Sequence, residues 1–229
     1  MNIKQFSWLL FDADETLFHF DAFAGLRALF ANYQIDFSRD DFIQYQTVNK
    51  PLWVAYQDGH IDAQTLQQNR FSQWADNIGC STQELNQGFL QAMADICQPM
   101  CGVVELLEQA KEYAELAIIT NGFTELQAVR LQKTGLDKYF SHVVISEQVG
   151  AAKPDKKIFR HAQSLMGEVE PEQVLMVGDN LHSDIIGGQQ AGMQTCWLNH
   201  HGALTEQGIE PTLQVRNISQ LHQWLFSNR

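Results

Sequence analysis

Residues 9–18, LLFDADETLF, join the end of an apolar run to three acids, Asp12, Asp14 and Glu15. The run begins at residue 6 as FSWLLF, and a short, nearly continuous apolar segment of this kind is typical of a parallel strand covered on both faces. Its abrupt end in carboxylates permits two interpretations. Either the strand leaves the core at a solvated turn, or it delivers a reactive carboxylate to a site at the end of a sheet.

Similar apolar runs recur later in the chain, with helical stretches between them. The runs are LAIITN (116–121), HVVISE (142–147), VLMVGD (174–179) and the weaker TCWLN (195–199). The helical stretches cover 102–113, 124–134, 156–166 and 183–191. Strands that alternate with helices predict an α/β fold, a Rossmann-like, doubly wound parallel sheet.

Residues 19–97 break this alternation. They contain no convincing strand, and apolar residues recur at helical spacing over 21–33, 41–59 and 62–79. The last two stretches end at Gly59 and Gly79, and glycine is a common helix stop. We therefore expect an α/β core formed by residues 1–18 and 98–229, with a helical cap over 19–97 inserted after the first strand.

Charge and composition limit the partners. The chain of 229 residues carries a formal net charge of −12, so we expect neither a nucleic acid nor a membrane as a partner. A small phosphorylated substrate remains compatible, because a local site can be positive within an acidic protein. The four cysteines lack metal-site spacing, and the first apolar run is too short for a signal peptide. We expect a cytoplasmic protein, a monomer or a small homo-oligomer.

Polar residues collect where the strands end, which is where doubly wound sheets bind their ligands. The first predicted strand ends at Asp12, and the fourth ends at Asp179. Further candidates are Thr120, Asn121 and Gly122 after the second strand, Lys153 in GAAKPD, and Asp184 in GDNLHSD. Each is weak evidence alone, since a lysine is usually surface charge and an acid can simply complement a helix dipole.

The segments DADETL, TNG, KP and GDNLHSD occur in that order. Together they resemble the four motifs of the haloacid dehalogenase-like hydrolase superfamily, and the resemblance covers the whole chain, including the inserted cap. It implies a phosphatase that forms an aspartyl-phosphate, with Asp12 as the nucleophile. Asp14 would protonate the leaving oxygen and then activate water. An acid at position 14 favours phosphate over halide chemistry.

The same resemblance implies the phosphate contacts. Lys153 would act in catalysis by neutralising the charges of Asp12 and the phosphoryl group. The Thr120 hydroxyl and the amides of Asn121 and Gly122 would hold the phosphoryl oxygens.

It also implies a Mg²⁺ cofactor, because a carboxylate that attacks a phosphate dianion faces like-charge repulsion. Asp12, Asp179 and the backbone carbonyl of Asp14 would bind the ion, and Asp184 would hold a metal-bound water or orient a neighbour. Glu15 departs from the family pattern, which often has glycine there. We expect its side chain to turn outward and leave only its amide near the site.

The insertion resembles the cap of the pyrimidine 5′-nucleotidase subfamily. The resemblance rests on Asn49, Leu52, Trp53, Gly59, Ile61, Leu66, Arg70 and Phe71. It implies hydrolysis of nucleoside 5′-monophosphates such as UMP, dUMP and dTMP. The apolar members Leu52, Trp53, Leu66 and Phe71, at helical spacing, are more typical of helix packing than of a base-stacking surface. Asn49, Lys50 and Arg70 could reach a base or ribose, but surface residues would show the same pattern.

Other functions remain open. A phosphoglycolate or sugar-phosphate phosphatase would use the same core under a different cap. A phosphomutase is less favoured, because nothing in the cap indicates return transfer of the phosphoryl group. A catalytically silent binding module would use the fold alone, although every position that the chemistry requires is filled.

Overall fold

A computed structural model describes residues 2–206 and 208–227 of the chain. At its centre is a parallel six-stranded sheet in the order β3-β2-β1-β4-β5-β6. The strands are β1 (Trp8–Phe11), β2 (Glu115–Thr120), β3 (His142–Ile145), β4 (Val174–Gly178), β5 (Gln194–Leu198) and β6 (Leu213–Val215). The predicted α/β class with a doubly wound sheet is confirmed. The short β6 was not predicted.

Strand β1 is buried along its whole length. Leu9 and Phe11 pack into the apolar cluster on one face of the sheet, and Trp8 and Leu10 pack into the cluster on the other. Successive side chains of a strand point to opposite faces, so a strand covered on both faces is apolar at every position. The amide of Asp12 continues the ladder with a 2.8 Å bond to a β4 carbonyl, which fixes Asp12 at the carboxyl edge of the sheet.

Helices cover both faces of the sheet. They are α6 (Val103–Ala110), α7 (Thr124–Thr134), α8 (Ser146–Val149), α9 (Lys156–Met166), α10 (Gly187–Gln190) and α11 (Ile218–Phe226). Helices α6 and α11 pack on one face, and α9 packs on the other. Several predicted boundaries were wrong. The first strand begins at Trp8 rather than at residue 6, the helix over 102–113 ends at Ala110, and the strand over 142–147 ends at Ile145. The helix over 183–191 is a π-helical turn (Leu181–Ile186) followed by α10.

The insertion after β1 consists of helices joined by turns and short loops. It contains α1 (Ala22–Ala31), α2 (Arg39–Gln57), α3 (Ala63–Asn69), α4 (Ser72–Ile78) and α5 (Thr82–Ile96). Their apolar faces form a cluster of their own, which extends onto Phe123, Leu126 and Ala152 beside the sheet. The division into a core of 1–18 and 98–229 and a cap of 19–97 stays a prediction. No helix within the described ranges is long and apolar enough to cross a membrane.

The periodic stretch 62–79 is two helices rather than one, because the chain breaks between α3 and α4. Arg70 and Phe71 occupy the break, and both are buried. Consecutive residues of a helix point about 100° apart, so the break allows both side chains to enter the same apolar cluster. The Arg70 Nε donates to Asn86 Oδ1 at 3.1 Å, and the guanidinium lies 5.0 Å from the centroid of the Phe89 ring.

Candidate active site

The carboxyl ends of β1, β2 and β4 open on a cavity of about 180 Å³. Every residue that the sequence predicted for the site lines this cavity: Asp12, Asp14, Thr120, Asn121, Gly122, Lys153, Asp179 and Asp184. Two larger cavities, of about 320 and 350 Å³, contain none of these residues. The structure therefore brings four distant segments to one place, while the chemical role of each residue stays a prediction.

Lys153 forms the buried centre of the site. Only 1% of it is exposed, and its Nζ donates to Asp12 Oδ1 at 2.6 Å and to Asp184 Oδ1 at 2.7 Å. Asn121 holds the backbone of Lys153 from both sides, with bonds of 2.7 and 3.0 Å. Burial alone lowers the pKa of Lys153, but the two carboxylates outweigh that effect and the pKa is raised. The ammonium group therefore stays charged.

The site contains more acidic side chains than this one lysine can neutralise. Burial raises the pKa of Asp12 to about 7, although Lys153 acts in the opposite direction. Burial raises the pKa of Asp179 to about 8, and the charges of Asp12 and Asp184 act in the same direction. A second cation among these acids would favour their ionised forms.

The donor set fits a divalent cation. One carboxylate oxygen from each of Asp12, Asp179 and Asp184 lies within 4.8 Å of the other two, and hard cations prefer such ligands. Both oxygens of Asp184 are engaged, Oδ1 by Lys153 and Oδ2 by the amide of Asn180 at 3.0 Å. The Asp179 carboxylate makes no hydrogen bond to another residue in the described part of the chain. Asp12 and Asp179 are therefore the freer ligands.

The loop after β2 is tightly closed. The Gly122 amide donates to Thr120 Oγ1 at 3.0 Å, and a Cβ on Gly122 would lie 3.2 Å from the same oxygen. The Thr120 hydroxyl oxygen acts as the acceptor in this bond, so its own proton is available for donation to a ligand. The Gly122 amide, which was predicted to contact a phosphoryl oxygen, is bonded to Thr120 in this structure.

Arg130 of α7 was not predicted as a site residue. Its guanidinium is 2% exposed and forms an ion pair with Asp14. Gln127 Oε1 accepts hydrogen bonds of 2.9 and 2.7 Å from the same guanidinium, and Phe18 lies beneath it at 4.6 Å. Arg130 stands four residues after Leu126 on the buried face of α7. A cation at such a position needs a partner, and this was the available signal in the sequence.

Glu15 adopts a left-handed backbone conformation, with φ of 53°, which explains why glycine suits this position. Its Oε1 accepts a hydrogen bond from the Phe20 amide at 2.7 Å, so the carboxylate is bonded to the start of the insertion. Its amide, which we expected near the site, donates to the Phe18 carbonyl at 2.8 Å. The Glu15 carbonyl accepts from His200 Nε2 at 2.7 Å.

The insertion contributes two residues to the cavity, Trp53 and Gln57 of α2. The polar residues considered from the sequence do not line it. Arg70 is buried within the insertion, Lys50 is exposed, and Asn49 bonds to residues of its own helix.

The chain belongs to the haloacid dehalogenase-like hydrolases, because residues 6–192 match that family. Within the family, the chain is 50% identical over 221 residues to pyrimidine 5′-nucleotidase YjjG of Escherichia coli (96% of this chain and 98% of that protein). It is 33% identical over 232 residues to pyrimidine 5′-nucleotidase PynA of Streptococcus pneumoniae (97% and 96%).

A solved structure shares the architecture. The YfnB protein of Bacillus subtilis, bound to magnesium, superposes with a TM-score of 0.84 at 32% identity. The match covers 96% of this chain and 99% of that one. The similarity therefore extends over the inserted helices as well as the sheet.

Proposed function

We propose that this hydrolase is a Mg²⁺-dependent phosphatase that acts on nucleoside 5′-monophosphates, with pyrimidine nucleotides preferred. The observation that carries the proposal is the buried Asp12–Lys153–Asp184 cluster at the end of β1 and β4, in a chain 50% identical to a pyrimidine 5′-nucleotidase. The solvated-turn interpretation of the first acidic cluster loses its support, because Asp12 is only 8% exposed.

In this proposal, Asp12 attacks the phosphorus atom through one carboxylate oxygen and forms an aspartyl-phosphate. Lys153 neutralises negative charge on Asp12 and the phosphoryl group, because its ammonium group is fixed 2.6 Å from Asp12. The preorganised charge is worth more in this buried site than it would be in water. The Thr120 hydroxyl orients the phosphoryl group by donating its free proton.

Asp14 transfers the protons in the proposed reaction. It donates one to the leaving nucleoside oxygen and afterwards accepts one from the water that hydrolyses the aspartyl-phosphate. Its ion pair with Arg130 holds it at the edge of the cavity, so Arg130 is a positioning residue for Asp14.

Mg²⁺ would be held by Asp12, Asp179 and the backbone carbonyl of Asp14. When bound, it would supply charge neutralisation between the attacking carboxylate and the phosphate dianion. Asp184 contributes by fixing Lys153 and the Asn180 amide in place.

The test is phosphate release from UMP, dUMP, dTMP, AMP, phosphoglycolate and ribose 5-phosphate, with Mg²⁺ or with EDTA. We expect the pyrimidine nucleotides to be hydrolysed fastest, EDTA to stop the reaction and Mg²⁺ to restore it. Preference for phosphoglycolate or a sugar phosphate would keep the phosphatase and refute the nucleotide assignment. Full activity in EDTA would refute the proposed dependence on Mg²⁺.

The nucleophile is tested by Asp12→Asn. We expect this variant to fold and to lose turnover, because an amide cannot form the acyl phosphate. Near-normal hydrolysis by the variant would refute the mechanism. No hydrolysis by the folded, metal-loaded parent chain would favour a binding module instead.

A further inference from the structure

The insertion faces the cavity through a single helix. Trp53 and Gln57 of α2 are four residues apart, so they stand one above the other on the same face. Most of the remaining lining residues belong to the four motifs that would bind phosphate and metal. The part of a substrate beyond its phosphate must therefore meet Trp53 and Gln57 first.

Gln57 has hydrogen-bonding capacity to offer. It is half-buried, and its side-chain amide makes no hydrogen bond to any residue in the described ranges. Gln67, by contrast, is bonded through both of its amide atoms, to Glu147 and to Asn86. An amide presents one acceptor and two donors side by side. Uracil and thymine present a carbonyl beside an N–H, which this group can pair with at two points.

Trp53 offers a held aromatic surface. Its ring centroid lies 5.4 Å from that of Phe123 and 5.9 Å from that of Tyr56. Phe123 directly follows Gly122 in the loop predicted to hold phosphate. The indole is therefore kept in a set position relative to that loop, and its surface suits a planar base.

We propose that Trp53 stacks against the pyrimidine base of the substrate and that Gln57 hydrogen-bonds its carbonyl and N–H edge. This inference rests on the proposed nucleotidase function and adds the residues that select the base. Trp53, taken from its spacing as a packing residue, then has both roles.

The experiment compares kcat/KM for UMP and for ribose 5-phosphate, which lacks the base, in Gln57→Leu and Trp53→Leu. We expect the ratio of kcat/KM for UMP to kcat/KM for ribose 5-phosphate to fall roughly 3- to 10-fold in Gln57→Leu, as a lost neutral hydrogen bond predicts. In Trp53→Leu we expect a fall of roughly 10- to 100-fold, as lost base stacking predicts.

Gln44→Leu is the matched control. Gln44 lies on the same helix, is exposed and does not line the cavity, so the ratio should stay at the parent value. Calorimetry can measure UMP binding without turnover in the Asp12→Asn variant. Adding Gln57→Leu to this variant should weaken its affinity for UMP by a similar factor. Parallel losses on both substrates, or an unchanged ratio, would overturn the base contacts. Hydrolysis of neither substrate by the parent chain would refute the proposed function itself.

Discussion

Replacing Lys153 by methionine tests whether the buried cluster is charged. The ammonium is 1% exposed and lies 2.6 Å from Asp12 and 2.7 Å from Asp184. Methionine has a similar length and no charge, so the variant leaves two buried acids without their cation. Breaking a buried ion pair by removing one partner costs about 3–5 kcal/mol. We expect Lys153→Met to lower the free energy of unfolding by that amount at pH 9.

The assay is urea unfolding in EDTA. For urea slopes of about 1–3 kcal/mol/M, the midpoint should move down by roughly 1–5 M. The effect should shrink at pH 5, because that lies below the pKa of about 7 at which Asp12 takes up a proton in the fold. The double variant Lys153→Met/Asp12→Asn should recover part of the loss, since it removes one unpaired carboxylate.

The matched control is Lys156→Met. Lys156 is exposed, so its replacement should change the free energy of unfolding by no more than about 0.5 kcal/mol. A cost for Lys153→Met below about 1 kcal/mol at pH 9, or one that is equal at pH 5, would contradict the charged cluster. Turnover by the variant near the parent rate would contradict the role of Lys153 in the reaction.

Two further predictions concern the same edge of the sheet. In EDTA, the free energy of unfolding should fall as pH rises from about 4 to about 8, because the fold raises the pKa of Asp12 to about 7 and of Asp179 to about 8 from 3.8. The folded state then retains protons that the unfolded chain has lost, and stability that rises over this range in EDTA would contradict the assignment. Gly178→Ala should lower both activity and melting temperature, because its Cβ would lie 2.6 Å from the Asp184 Cβ. An unchanged melting temperature would show that Asp184 can move.

The positions of Asp12, Thr120 and Asp179 could be predicted because these residues lie where the most apolar segments end. Strand β1 is apolar at four consecutive positions, and the residue after it must emerge at the carboxyl edge. The same reasoning applies to Thr120, the last residue of β2, and to Asp179, which follows β4. Local patterns thus determined which residues share an edge, before any distance between them was known.

Other features depend on contacts that no local pattern contains. The Asp14–Arg130 pair joins residues 116 positions apart. Strand β6 has three residues, and its burial depends on pairing with β5. The break between α3 and α4 lets Arg70 reach Asn86, although the periodicity continues across it. In each case, tertiary packing outweighs the local preference.

The position of α2 is tied to the short segment that follows β3. Tyr56, next to Gln57, lies with its hydroxyl 2.7 Å from Ser146 Oγ. Glu147 accepts a 2.9 Å bond from Gln67 of the insertion, and its second oxygen accepts from the Thr124 amide at 2.8 Å.

Thr124 begins the helix that directly follows the predicted phosphate loop, so one carboxylate connects the insertion to that loop. In the proposed function, the base-contacting residues and the phosphate contacts would therefore be held at a set separation. A displacement of about 1 Å in a reacting geometry can cost about a hundredfold in rate. A substrate whose base contacts Trp53 and Gln57 poorly would therefore also place its phosphorus atom poorly relative to Asp12. Selection of the base and alignment of the phosphate thus depend on the same arrangement of residues.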